Sequence, residues 1–184
     1  MSQKHQAIKD SALIAIFASI LFVQQVALSF LPNIQFTALL IVLYSRVLGF
    51  KKTSLIVIIH VFAINILSPF GPVIPMQIPA MVLGWLLIPI LLHTIFKKAE
   101  SAWSLAIIGF LFGFIYGWLF IPVSIWILDV PFLTYLYADI LFEIIMAVSN
   151  FLTILWLYEP LKKLLIEQKN RYYMIGVEPS SELK

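Results

Sequence analysis

Asp139 and Glu143 are the residues whose type and spacing point most directly to chemistry. They stand four apart, with Asn150 seven residues further on. At helical periodicity the three share one face. They lie within a long apolar run, residues 132–158. A carboxylate in a hydrocarbon layer is costly, so it must face a protein interior or a wet cavity, and it is a functional candidate by default. Counted from Phe132 at about 1.5 Å per residue, Asp139 lies roughly 10 Å and Glu143 roughly 16 Å along the helix. No Lys or Arg occupies that half of any apolar run. The partners left are neutral donors, protons, a cation, or a ligand bearing amines or amides. A hydrogen bond to His60 or Asn65 that merely fixes the fold is the competing explanation.

Other chemistries find no support. The chain has no cysteine, which removes disulfides, thiol nucleophiles and Cys-based metal sites. It contains no H-E-x-x-H, no G-x-S-x-G and no phosphate-binding loop. Two carboxylates a helical turn apart do not make a di-metal centre without histidines nearby. The expectation is a non-enzymatic protein with no catalytic residues, metal or cofactor. Any uphill work must draw on a partner that hydrolyses ATP. Gln24, Gln25, Gln35, His60, Asn65 and Gln77 are further polar residues in or beside apolar runs. His60 reads as a hydrogen-bonded packing histidine, and His93 as a side chain snorkelling to an interface. Phe70, Met76, Trp126, Asp129 and Phe132 mark stiff, aromatic loops on the side of the carboxylates. A mostly apolar wall with a few placed polar groups is what a small-molecule pocket needs.

The elements that must position these residues follow from composition. Of 184 residues, 62% are hydrophobic and 11% charged, and the mean hydropathy is +1.02. A soluble domain averages about 25% charge, so neither a soluble globule nor a disordered chain fits. Six spans are predicted, over residues 11–31, 34–48, 53–67, 80–96, 103–121 and 132–158, with a polar, frayed tail over 169–184. Pro32-Asn33, Gly49, Lys97-Lys98, Pro122 and Glu159-Pro160 are the expected stops. Residues 68–79 hold four prolines and read as a loop. The first run is too long for a signal-peptide core and is read as a retained span. In this arrangement all twelve basic residues fall on one side. By the positive-inside rule both termini are cytoplasmic, in a multi-pass protein of a bacterial plasma membrane. Trp103, Trp156 and Tyr158 would mark the inner interface, and Trp126, Tyr135 and Tyr137 the outer one. The basic residues form short clusters and no stripe, which excludes a nucleic-acid partner.

Two small-residue stripes complete the pattern. Ser11, Ala15 and Ser19 recur every fourth position, with Ala12 and Ala18 beside them, and Gly109, Gly113 and Gly117 do the same. Such stripes let helices approach closely. The glycine stripe reads as internal packing. The first stripe reads either as internal packing or as a docking face for another membrane subunit.

Together these features resemble the substrate-binding S component of an energy-coupling factor (ECF) vitamin transporter. The residues carrying the resemblance are the Ser11-Ala15-Ser19 stripe, the Leu31-Pro32-Asn33 break after it, the six-span layout and the polar positions gathered toward the outside. In that family the first-helix stripe is usually A-x-x-x-A; here serines flank Ala15. The resemblance covers essentially the whole chain through loose motifs. It implies an all-α membrane protein that captures a vitamin or precursor at the outer face. Such a protein docks through Ser11, Ala15 and Ser19 on a membrane-embedded coupling protein carrying two cytosolic ATPases, and topples to deliver its ligand. Mapped onto this chain, the ligand site is Asn33, Gln35, Gln77, Asp139 and Glu143, with Trp126 and Tyr135 as stacking residues. The histidine motif of nickel and cobalt S components is absent, as is the thiamine-type pattern. Two carboxylates favour an amine- or amide-rich ligand over an anionic one. Cobalamin leads, with queuosine-like bases and pyridoxine-like amines beside it. The alternative is a structural protein of a cell-envelope assembly complex, which needs no outward pocket.

Overall fold

The computed structural model describes residues 3–67, 71 and 73–174. Phe70, Pro69 and Pro72 of the expected loop, and residues 175–184 of the expected tail, lie outside the described residues. Six α-helices run in order: α1 (Gln3–Ala27), α2 (Thr37–Leu48), α3 (Phe50–Ile66), α4 (Ile78–His93), α5 (Ala102–Leu128) and α6 (Phe132–Met174). A 3-10 turn, Pro75–Gln77, leads into α4. No strand occurs among the described residues. Four helical segments are long and apolar enough to cross a membrane: Gln3–Ala27, Pro75–His93, Ala102–Leu128 and Phe132–Met174. The architecture is that of an all-α membrane protein.

Helix ends depart from the expected spans wherever proline or charge was taken as a stop. Pro122 does not end α5, which continues to Leu128. Pro160 does not end α6, which runs 43 residues to Met174. A proline removes one N–H and crowds the carbonyl four residues back, and a long helix packed against neighbours absorbs that loss. What stops α5 is Asp129, in the left-handed conformation at φ 51°. The polar segment after residue 168 is helical up to Met174, because it is tied to the bundle. Lys169 Nζ donates to the Val47 carbonyl at 2.8 Å, and the Tyr172 hydroxyl donates to the Lys9 carbonyl at 3.1 Å. Lys51 and Lys52 fall within the first turn of α3 instead of preceding it. At the other margins, α1 starts earlier than expected and stops at Ala27, α2 starts at Thr37, and α4 stops at His93.

The centre of the bundle is α2. Nine of its twelve residues are buried, and it packs against α1, α3, α4 and α6. At about 1.5 Å per residue it is about 18 Å long, well short of a hydrocarbon core of about 30 Å. Its N-terminal end is therefore finished by Gln24 of α1 and its C-terminal end by Lys169 of α6 on the Val47 carbonyl, while its own Arg46 ties it to α4. At the N-terminal end, Gln24 Oε1 accepts from the Phe36 N–H at 2.9 Å, and Gln24 Nε2 donates to Thr37 Oγ1 at 2.7 Å. Near the C-terminal end Arg46 reaches the turn after α4. Its guanidinium donates to the carbonyls of Leu92 (3.3 Å), Phe96 (2.8 Å), Lys97 (3.2 Å) and Ala99 (2.5 Å). The Leu92 carbonyl is an orphan of the last turn of α4, and the other three belong to the turn that follows it.

Of the aromatics expected at interfaces, Trp103, Trp126, Tyr137 and Trp156 are exposed. Tyr158 is not at a surface: it is fully buried in the core.

Candidate functional site

The two longest helices, α5 and α6, are joined by a short connection through Asp129 and run antiparallel. Glycine determines how closely they approach. A Cβ on Gly113 would sit 2.6 Å from the Ala147 backbone, and one on Gly109 2.5 Å from Ile154 Cδ1. A Cβ on Gly117 would sit 2.5 Å from Glu143 Oε1. The glycine stripe is thus an internal seam, as the spacing predicted. Asn150 Nδ2 donates across it to the Gly109 carbonyl at 3.2 Å.

The absence of a side chain at Gly117 makes the space that Glu143 occupies. Glu143 is only 2% exposed, and the indole N–H of Trp118 is the one donor that acts on its carboxylate among the described residues, outside good hydrogen-bond geometry. Asp139, one turn away and half-buried, is close enough to act on it electrostatically. One turn further, half-buried Tyr135 stands opposite Ser124 of α5. Tyr135, Asp139 and Glu143 therefore form one file along α6. Trp118 lies beside Glu143 on the α5 side.

The remaining ligand candidates fall elsewhere. Asn33, at φ 59°, donates its side-chain amide to the Phe142 carbonyl at 3.0 Å. That bond pins the α1–α2 connection to α6 beside Glu143. Gln35 accepts from the Thr37 hydroxyl at 3.0 Å. Asn33 and Gln35 line one depression of about 350 Å³ with Gln25, whose side-chain oxygen is buried without a partner; Asp139 and Glu143 are not among its walls. Gln77 is half-buried at the end of the 3-10 turn, which packs on α5. Trp126 is 68% exposed and stands apart from the carboxylates. The seven candidates thus occupy three places: the α6 file, the α1–α2 connection that abuts it, and the α4–α5 margin.

The competing structural explanation for the carboxylates finds no partner. Asn65 Nδ2 donates to the Val61 carbonyl at 2.8 Å and approaches the Met81 sulfur at 3.2 Å. His60 is fully buried, yet neither ring nitrogen is hydrogen-bonded among the described residues. The expectation of a hydrogen-bonded packing histidine is corrected to packing alone. No group of three or more His, Cys, Asp or Glu is placed to hold a metal among the described residues.

Sequence reading missed an aromatic ladder on the other side of α5. Phe112, Tyr116 and Phe120 recur at every fourth position, and Trp85 of α4 stacks on it, with ring centroids 4.6 Å from Tyr116 and 5.5 Å from Phe112. Gly84 leaves room for the Tyr116 ring, which a Cβ there would approach to 2.8 Å. The i, i+4, i+8 spacing of aromatics was the available signal.

On α1, Ser11, Ala15 and Ser19 all face outward. Ser11 Oγ donates to the Ala7 carbonyl at 3.0 Å and Ser19 Oγ to the Ala15 carbonyl at 2.9 Å. With the hydroxyls folded back on the helix, the surface is small and smooth. It borders a shallow groove of about 540 Å³ walled by Ala15, Ile16, Ser19, Ile20, Val23 and Gln24.

Outside the apolar runs, Asp10, Lys52 and Tyr173 form a clasp joining the ends of α1, α3 and α6. Lys52 Nζ donates to Asp10 Oδ1 at 2.7 Å and to the Tyr173 hydroxyl at 2.9 Å, and that hydroxyl donates to Asp10. Partial burial works against the Asp10 charge, but the bonds from Lys52 and Tyr173 outweigh it and hold the carboxyl below its ordinary value. Burial likewise opposes the Lys52 charge, and the bonds to Asp10 and Tyr173 raise its ammonium above the ordinary value.

Comparison with protein-family models, curated proteins and solved structures returns no match.

Proposed function

We propose that this chain is the substrate-binding subunit of an ECF-type importer. It spans the membrane six times with both termini cytoplasmic, and captures a vitamin or vitamin precursor at the outer face. It delivers that ligand with a coupling protein and two ATPases. The observation that carries the reading is Glu143: a carboxylate buried in a membrane helix, seated in the space that Gly117 leaves for it, with the Trp118 indole as its one nearby donor and Asp139 a turn away. A buried carboxylate with a single indole N–H beside it is under-satisfied and expensive, and an amine- or amide-bearing ligand supplies further donors. Cobalamin leads among such ligands. Asn33 supports the site by tying the neighbouring connection to the Phe142 carbonyl. The outward stripe Ser11-Ala15-Ser19 supports docking, since its small side chains are spent neither on the core nor on any helix of this chain.

A thermal-shift screen of the purified protein against water-soluble vitamins tests capture. One vitamin should stabilise strongly, since a ligand at 100 times its Kd contributes about 2.7 kcal/mol. Asp139→Asn combined with Glu143→Gln should remove that shift. Stabilisation by none of the vitamins would reject the reading and leave the envelope-assembly alternative.

Ala15→Trp tests docking separately. The bulky ring on the smooth face should abolish co-purification with the coupling protein while vitamin binding persists. Co-purification that survives the substitution would reject the docking face.

A further inference from the structure

One groove has no part in the site above. It lies between α1 and the last turns of α6, encloses about 410 Å³, and is lined by Leu13, Ile16, Phe17, Gln168, Lys169, Arg171 and Tyr172. Its two walls differ in kind. The α1 wall is apolar: Ile16 is 53% exposed, and Phe17 is half-buried beside it. The α6 wall carries two cations. Lys169 spends one of its three donors on the Val47 carbonyl at 2.8 Å. Arg171 is exposed and makes no ion pair among the described residues. Glu167, one turn before it, is not among the lining residues. The floor is fixed by the Tyr172 hydroxyl, which donates to the Lys9 carbonyl at 3.1 Å. Lys9 Nζ in turn donates to the carbonyls of Tyr172 (3.3 Å) and Tyr173 (3.4 Å), adding a further positive charge nearby. Toward the other end of α1 the apolar track continues, because Ile16 is shared with the groove that runs on past Ile20 to Val23.

We propose that this groove binds one anionic phospholipid, its phosphate on Arg171 and Lys169 and an acyl chain laid along Ile16, Phe17 and Ile20. A guanidinium pairs with phosphate through two parallel donors, and a basic pocket beside an apolar track between membrane helices fits an anionic headgroup with its chain. The layout matches the occupant in order as well as in kind. The cations sit where the apolar run of α1 gives way to Lys9 and Asp10, at headgroup level, and the apolar wall extends from there toward the membrane interior. A second protein helix would need no cation at that position, and a soluble anion would need no apolar wall. The inference rests on this groove and its continuation past Ile20, which borders the Ala15–Ser19 face, and stands whether or not the importer reading does.

The test uses the full chain in detergent, titrated with phosphatidylglycerol, with phosphatidylcholine of the same chains, and with soluble glycerol phosphate. Bound lipid is counted by native mass spectrometry, and melting is followed in parallel. Wild type should retain one phosphatidylglycerol in preference to phosphatidylcholine, and glycerol phosphate should not raise the melting midpoint. Arg171→Glu should cut the preference for phosphatidylglycerol by at least about fivefold, the effect of one basic residue at an anionic surface. Ile16→Trp, which fills the apolar wall and leaves both cations, should lower retention of the lipid without altering the fold. Equal retention of the two lipids, a preference that survives Arg171→Glu, or stabilisation by glycerol phosphate equal to that by the lipid would each overturn the proposal.

Discussion

Arg46 and Glu143 are both charged groups on helices of one bundle, and the fold treats them in opposite ways. Arg46 is surrounded by acceptors: four carbonyls of the α4 end and its turn take donors from both of its terminal nitrogens, and its Nε alone is left without a partner among the described residues. Around it lie further satisfied polar groups, including the Asp10–Lys52–Tyr173 clasp and Lys169 on Val47. Glu143 is packed against a glycine, and the Trp118 indole is the one donor that acts on it among the described residues. The difference separates two uses of polarity in an apolar protein. Where most donors meet acceptors, charge closes helix ends and joins helices, and its contribution is structural. A charge that is buried and left open raises the free energy of the empty protein, which persists only where something else supplies the missing partner.

The largest expected effect comes from undoing the saturated end. Arg46→Ala takes the guanidinium from four carbonyls, of which Phe96 alone keeps a backbone turn partner, the Ala99 N–H at 3.0 Å, among the described residues. The expected loss is about 3 kcal/mol, since bonds to a charged donor contribute about 1.5–3 kcal/mol each and do not add fully. Unfolding in a mild detergent, followed by circular dichroism, measures it. A loss below about 0.5 kcal/mol, the scale of an ordinary surface substitution, would remove the structural half of the contrast.

Glu143→Gln should act in the other direction on the empty protein. It keeps the shape, removes the charge and leaves an amide that is less costly to bury, so the ligand-free protein should gain about 1 kcal/mol. The same assay reads it in the absence of ligand. A loss comparable to that of Arg46→Ala would mean that the carboxylate is bonded and structural, and the two regions would no longer differ.

The same contrast explains what the sequence made legible. Asp139 and Glu143 stood out because a charge within an apolar run is costly wherever the run is placed, and that argument needs no coordinates. The glycine stripe was readable because close helix approach demands small residues at a helical period. Pro122 and Pro160 misled because a proline's local cost is set against the packing of the whole helix, which local sequence does not contain. Asp139 and Glu143 apart, the ligand candidates came from loops and helix ends, and which of them meet depends on long-range register. Asn33 illustrates this: its amide bonds a backbone carbonyl more than a hundred residues away. Arg46 was read only as a mark of sidedness, since nothing in its neighbours along the chain announces that it closes the turn after α4.

The smallest effect, and the sharpest in form, belongs to the clasp. Asp10 has its folded carboxyl held below the unfolded value, so its contribution is complete above that unfolded value, about pH 3.9. It is lost as pH falls through the lower, folded value. Lys52 has its folded ammonium raised above the unfolded value, so its contribution is complete below about pH 10.4 and is lost as pH rises through the higher, folded value. Between those limits both charges are present in both states, and the clasp contributes a constant amount. Because the pair is partly exposed, that amount should not exceed about 1 kcal/mol. The measurement is the difference in melting midpoint between wild type and Asp10→Asn across pH 3 to 11. It should be flat from about pH 5 to pH 9 and shrink on both flanks, since each flank discharges one partner. A difference that persists unchanged at pH 3 would show that the Asp10 side chain acts by packing and not by charge, and the saturated end would owe its order to Arg46 and its carbonyls without help from the clasp.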